Sequence, residues 1–230
     1  MSMRRSPCLF ASIAVTLQLA IPFALPGQVP AGHDHRLFEC ADDGLSRTGS
    51  PEFGCQRLAK YDLARGSEAS LFWHLAKVPS RATAKATKGQ VAFVVDAAGQ
   101  SWLFSFGPEG AVPKQGQHVA TVGPLPLTAA KSYAIVAYFV VMPVGAYTMV
   151  HTHPGPEAWY VLEGTQCLDT PGGASKVAAG QTGVAPPDTP MQLHNNGSVT
   201  RRALFIVIHD AAQPWGSPSD WKPSEACGAD

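Results

Sequence analysis

Charge is scarce in this sequence, and neither sign dominates. Charged residues make up 15% of the 230, with 17 basic against 17 acidic side chains. No basic patch or acidic tail occurs, which argues against nucleic acid as a partner, because phosphate backbones are held by clustered Lys and Arg. Low-complexity tracts, helical heptads and internal repeats are missing, so a coiled coil, a solenoid and a duplicated barrel find no support. There is no P-loop, no dinucleotide fingerprint and no Gly-x-Ser-x-Gly elbow. Gly (22) and Pro (20) are plentiful instead, as many short strands joined by turns require. The length suffices for one substantial core, or one core with an appended subdomain.

Residues 1–31 read as a signal peptide. Arg4 and Arg5 precede an uncharged apolar run, and Val29-Pro30-Ala31 offers small residues where a peptidase cuts. Pro22 and Pro26 favour removal over a lasting membrane span. Cleavage would leave 15 basic against 17 acidic residues, a net charge of −2. The expected location is therefore periplasmic or extracellular. In that setting Cys40, Cys55, Cys167 and Cys227 suggest two disulfides. Of three possible pairings, Cys40–Cys55 with Cys167–Cys227 is preferred, the second clipping the tail to the main body. Cys167 and Cys227 lack metal-ligand spacing, which argues against zinc held through sulfur.

Residues 32–120 read as an N-terminal extension: a turn-rich lead with the Cys40–Cys55 loop, then a strand, a short helix over 79–89 and a hairpin. Strand follows strand through 121–212, broken by turns such as Pro154-Gly155-Pro156 and Pro171-Gly172-Gly173. That texture means an all-β sandwich or closed barrel. Residues 213–230, with Trp215 and Trp221, read as an irregular wrap over it.

Chemistry concentrates in the stretch GAYTMVHTHPGPEAWYVLEG, residues 145–164. Side chains two apart share a strand face, so Tyr147, Met149, His151 and His153 are expected to point inward together. The Pro-Gly-Pro turn then brings Glu157 beside the histidines, with Trp159 and Val161 on its face. Two imidazoles and a carboxylate form a facial set suited to a divalent first-row metal with open positions. Burying them against apolar walls without a metal or paired hydrogen bonds would be costly.

The same residues resemble the cupins. Gly145, His151, His153, Glu157 and Gly164 reproduce the first signature of that family at every defined position. The resemblance implies a jelly-roll β-barrel, here carrying the β-rich N-terminal extension read above, with His151, His153 and Glu157 as metal ligands. It also makes a homodimer the default expectation. Gly180, Pro186 and Asn195 keep the register of the second signature, but Asp188 stands for a glycine and Met191 for the fourth ligand, a histidine. Met191 leaves three readings: a three-ligand metal, a soft fourth ligand favouring copper, or a pocket without metal. His194 would face outward in a regular strand and cannot substitute. The resemblance covers roughly residues 130–212.

Tyr147, Met149 and Trp159 are candidate pocket residues, and Glu163 is a weak candidate for a general base at the rim. His209 could serve as a proton shuttle, though capping its strand is the favoured reading; His74 reads as structural. Together these features predict an exported metal-binding protein carrying one divalent transition metal (Fe, Mn, Ni, Cu or Zn) and acting as an enzyme on a small molecule. The alternative is a non-catalytic periplasmic binding protein for a metal ion or small ligand.

Overall fold

A computed structural model describes residues 36–37, 54–64, 70–80, 82, 84, 91–224 and 226–228. The expected signal peptide, Cys40 and most of the expected helix over 79–89 lie outside these residues. Every regular element among them is a strand. In chain order these begin with β1 Arg36–Leu37, β2 Gly54–Ala64, β3 Leu71–Val78 and β4 Val91–Ala97. Next come β5 Gln100–Gly107, β6 Gln117–Leu125, β7 Ser132–Met142 and β8 Tyr147–Thr148. β9 His151–Thr152, β10 Glu157–Glu163, β11 Thr165–Thr170 and β12 Gly173–Ala178 follow. The last four are β13 Thr182–Ala185, β14 Gln192–His194, β15 Arg201–Asp210 and β16 Ser217–Pro218.

The strands form three layers. A five-stranded sheet ordered β13-β10-β15-β7-β2 faces another ordered β1-β8-β14-β11-β12, giving the all-β barrel. A four-stranded sheet, β4-β5-β3-β6, packs on the outer side of the first. The first sheet is thus buried on both faces, which explains the unbroken apolar runs of β7 and β15. Along β15, Ala203 and Phe205 point into the barrel while Leu204, Ile206 and Ile208 meet the outer sheet. Along β7, Val136 and Tyr138 point inward while Tyr133, Ile135 and Ala137 point outward.

The outer sheet is what the N-terminal extension contributes. The expected hairpin is β4–β5, closed by Ala98 and Gly99 at positive φ. Trp73, Phe93, Phe104 and Phe106 supply its aromatic core. The sheet continues through β6 to Leu125, while β2, from the stretch read as extension, joins the barrel sheet beside β7.

Residues beyond Gln213 bind the barrel at three levels. β16 pairs with β9, Ser224 bonds the Asp169 carboxylate through both its amide and its hydroxyl, and Cys227 forms a disulfide with Cys167. Cys55 is also disulfide-bonded; its expected partner, Cys40, lies outside the described residues.

Candidate metal centre

His151 sits on the two-residue strand β9, directly opposite Met191, with which it exchanges both backbone hydrogen bonds at 2.9 and 3.1 Å. His153 follows two residues on. Pro154-Gly155-Pro156 reverses the chain, and Glu157 opens β10 on the inner face it shares with Trp159 and Val161. Ligand atoms of His151, His153 and Glu157 all lie within 4.8 Å of one another. The His153 Nε2 to Glu157 Oε1 separation is 3.7 Å.

Both imidazoles are anchored from behind. His151 Nδ1–H donates to the Met149 carbonyl at 2.8 Å, and His153 Nδ1–H donates to the Trp215 carbonyl at 2.7 Å. These bonds fix the tautomer and leave each Nε2 with a lone pair for the centre. His153 Nε2 and Glu157 Oε2 are buried without a protein partner. Burial presses His153 down to about 3, helped by the neighbouring His151. Burial also lowers His151 and pushes Glu157 up to about 8, the latter against the opposing pull of Arg201. Without an ion the set is therefore two neutral imidazoles and a protonated acid. A divalent cation would reverse the preference at Glu157, and the unpartnered nitrogen and oxygen are the donors it requires.

A family model described as the Cupin domain matches residues 138–207. Residues 138–207 are a cupin domain. Solved structures similar to the chain include a Cupin 2 conserved barrel domain protein from Salinispora arenicola, 23% identical, TM-score 0.31, covering 34% of this chain and 65% of that one. A recombinant oxalate oxidase in complex with glycolate is 20% identical, TM-score 0.32, covering 36% and 45%. The DMSP lyase DddQ from Ruegeria pomeroyi is 15% identical, TM-score 0.34, covering 58% and 54%. The chain spans no more than 65% of the length of any of these three. No curated protein matches it.

The cupin barrel brings some expected residues together and separates others. Trp159 is buried in the inner wall, its indole packed against Gly183, where an added Cβ would come within 2.2 Å of the ring. Met191 is fully buried in the same wall, beside His151. Asp188, in place of the signature glycine, adopts φ +56°, a left-handed conformation that Asp tolerates better than most residues. Its amide donates to the His153 carbonyl at 2.7 Å.

Tyr147 does not line the pocket. It pairs with His194, on the barrel face that also carries Cys167, and its ring stacks on that imidazole at 5.5 Å. The strand breaks after Thr148, so alternation does not carry through Met149 and Val150 to the histidines. Met149 serves the centre through its carbonyl, with its side chain half-buried. Glu163 is exposed and ion-paired with Arg202, because a bulge between Val161 and Glu163 shifts the register. His209 does more than end β15: it is 4% exposed, shares the parity of Phe205, and leaves Nε2 without a partner. His74 is structural, bonding Thr121 and the Pro108 carbonyl at 3.0 Å each.

Three residues at the cupin interior escape sequence reasoning. Trp215 stacks on His153 at 5.1 Å and meets Tyr138 at a tilt at 5.4 Å, placing the tail over the mouth. Arg201 and Gln166 are buried at 0% exposure with polar atoms unpartnered. Barrel-facing parity was the available signal for the last two: Arg201 lies two and four residues before Ala203 and Phe205, and Gln166 two before Leu168.

Proposed function

We propose that this protein is an exported metal-binding cupin that acts as a metal-dependent enzyme on a small molecule. The observation that carries the reading is the pairing of two buried, unpartnered donors, His153 Nε2 and Glu157 Oε2, beside His151, whose tautomer is fixed from behind. His151, His153 and Glu157 would hold one divalent transition ion. That ion would supply Lewis-acid or redox activation of a bound molecule. Three protein donors leave positions open for such a molecule. Apolar walls at Trp159, Phe205 and Tyr138 would exclude water and orient it.

Export is supported by the basic, apolar start of the sequence and by the Cys167–Cys227 disulfide, since such bonds persist in oxidising compartments. The sequestering alternative draws on one observation: Met191, fully buried opposite His151, is placed to give a fourth, soft donor and close the site to substrate.

Elemental analysis of the purified mature protein, beside His151→Ala and Met191→Ala, tests both readings. One ion per chain, lost in His151→Ala and retained in Met191→Ala, is the expected result. Copper lost in both variants would favour sequestration. Wild-type protein without metal under chelator-free conditions would overturn the metalloenzyme reading.

A further inference from the structure

Below the His151–His153–Glu157 set, the barrel holds a second group of polar side chains that folding does not explain. Arg201 stands at the start of β15 with the parity of Ala203 and Phe205, so its side chain runs inside the barrel. Its guanidinium lies 5.1 Å from the Phe205 ring centre, and Nη2 touches Met142 Sδ. Nε and Nη1 have no protein partner. Hence no carboxylate oxygen bonds this cation, although it is 0% exposed.

Gln166 approaches from the opposite sheet. Its neighbours Cys167 and Asp169 face the tail, through the disulfide and through Ser224, so Gln166 and Leu168 face the interior. Neither its amide oxygen nor its amide nitrogen has a partner. On β10, Trp159 also leaves its indole N–H unpaired. Between Arg201 and the Trp159–Phe205 level lies the pair Val161–Ala203.

Each buried polar group left unpaired costs about 1–3 kcal/mol, and a charged group costs more. Several such groups on one interior surface are therefore a recognition surface rather than a device of folding. Their chemistry is specific: a planar fork of donors at Arg201 and, at Gln166, an amide that both donates and accepts. With a divalent ion on the Glu157 carboxylate and the guanidinium nearby, the interior is net positive, and an anion reduces that excess. One guanidinium with apolar walls suits a carboxylate, which it grips with two parallel bonds. A phosphate would call for several cations or a helix N-terminus; among the described residues Arg201 is the one buried Lys or Arg, and every regular element is a strand.

We propose that the barrel interior binds a small organic carboxylate, its acid group held by Arg201 and Gln166 and its remainder directed at the metal set. This inference deepens the proposed function by naming the substrate class, and it can fail independently of the metal.

Isothermal titration of the full chain, zinc-loaded and chelated, with acetate, lactate, malonate, succinate, benzoate and inorganic phosphate tests it. At least one carboxylate is expected to bind the loaded protein at one site per chain. Arg201→Met should weaken that binding about 100-fold and Gln166→Leu about tenfold, with metal content unchanged. Arg201→Lys, which keeps the charge but loses the fork, should also lose most of it. The proposal is overturned if wild type with a full metal complement binds none of the carboxylates, if phosphate outcompetes all of them, or if Arg201→Met binds as wild type. It is equally overturned if Arg201→Met fails to fold while Arg201→Lys binds normally, since Arg201 would then be structural. Carboxylate binding through Arg201 in a protein that takes up no metal would sink the metal reading and leave this subsite standing.

Discussion

His153 is held by Trp215 twice over. Its Nδ1–H donates to the Trp215 carbonyl at 2.7 Å, and its ring stacks on the indole at 5.1 Å with 25° between planes. Gly216 follows so closely that an added Cβ would lie 3.0 Å from His153 Nδ1. A candidate ligand on the barrel is thus oriented by a residue 62 positions away. The tail is part of the centre, and its attachment should govern the centre's affinity.

Trp215→Ala keeps the backbone carbonyl but removes the ring that stacks on His153 and packs against Tyr138. The imidazole keeps its tautomer and loses its lateral restraint. Metal affinity is expected to fall about tenfold, within the range for outer-shell losses, and a chelator should strip the ion faster than from wild type. Competition with a fluorescent chelator measures both. Unchanged affinity and extraction rate would mean that the carbonyl alone positions the ring.

Replacing Cys167 and Cys227 by serine tests the tail more severely. Both cysteines are buried, and the bond joins positions 60 residues apart. Chain-entropy reasoning assigns a loop of that length about 4 kcal/mol. The double variant should therefore unfold at markedly lower denaturant concentration. Metal affinity should drop as well, because the freed tail no longer holds the Trp215 carbonyl against His153. Lost stability with wild-type affinity would show that β16 and Ser224 secure the tail without the disulfide.

Gly183→Ala probes the inner wall. Gly183 pairs with Trp159 across β13 and β10, and the indole occupies the space a methyl group would need. The ring would have to leave its well-packed site, at a cost of about 1–3 kcal/mol. Thermal unfolding should report that loss. Because Trp159 and Phe205 pack at 6.0 Å, tryptophan fluorescence should shift too. A variant as stable as wild type, with an unmoved spectrum, would contradict the close packing described.

The barrel strands and the three candidate ligands were legible because period-two alternation and fixed spacing report local geometry directly. Tyr147 was misplaced because alternation assumes an unbroken strand, and the break at Met149 and Val150 carries no strong sequence mark. Glu163 was misplaced for a related reason: a bulge shifts register without a Gly or Pro to announce it. Arg201 was passed over despite its barrel-facing parity, because arginine is almost never fully buried and a pair of arginines at a strand start reads as surface. Trp215 could not be paired with His153, since that contact depends on how the tail closes and not on any local pattern. The second apolar face of β7 and β15 was visible as hydrophobic runs, but only the outer sheet explains it.

The pH dependence of the metal-free protein follows from opposed shifts at two adjacent groups. Glu157 is raised from 4.5 to about 8, so the folded chain keeps a proton that the unfolded chain gives up. Its contribution to stability is complete below pH 4.5 and is lost as pH rises toward 8. His153 is lowered from 6.5 to about 3, so its contribution is complete above pH 6.5 and is lost as pH falls toward 3. His151 is shifted in the same direction and adds to the acid side. The Glu157 and His153 slopes cancel between pH 4.5 and 6.5, so the His151 shift leaves stability rising toward pH 6.5, with a decline above that as Glu157 dominates. Metal binding requires the ionised carboxylate, so below about pH 8 each ion taken up should release the Glu157 proton. Affinity should then rise about tenfold per pH unit up to that point and level off beyond it. Thermal unfolding of chelated and metal-loaded protein across this range provides the check. The gap between the two curves should widen from pH 6.5 to 8 and stay constant above. In Glu157→Gln the widening should vanish, because no proton remains to be displaced. A gap independent of pH in the wild type would mean that Glu157 is not a ligand.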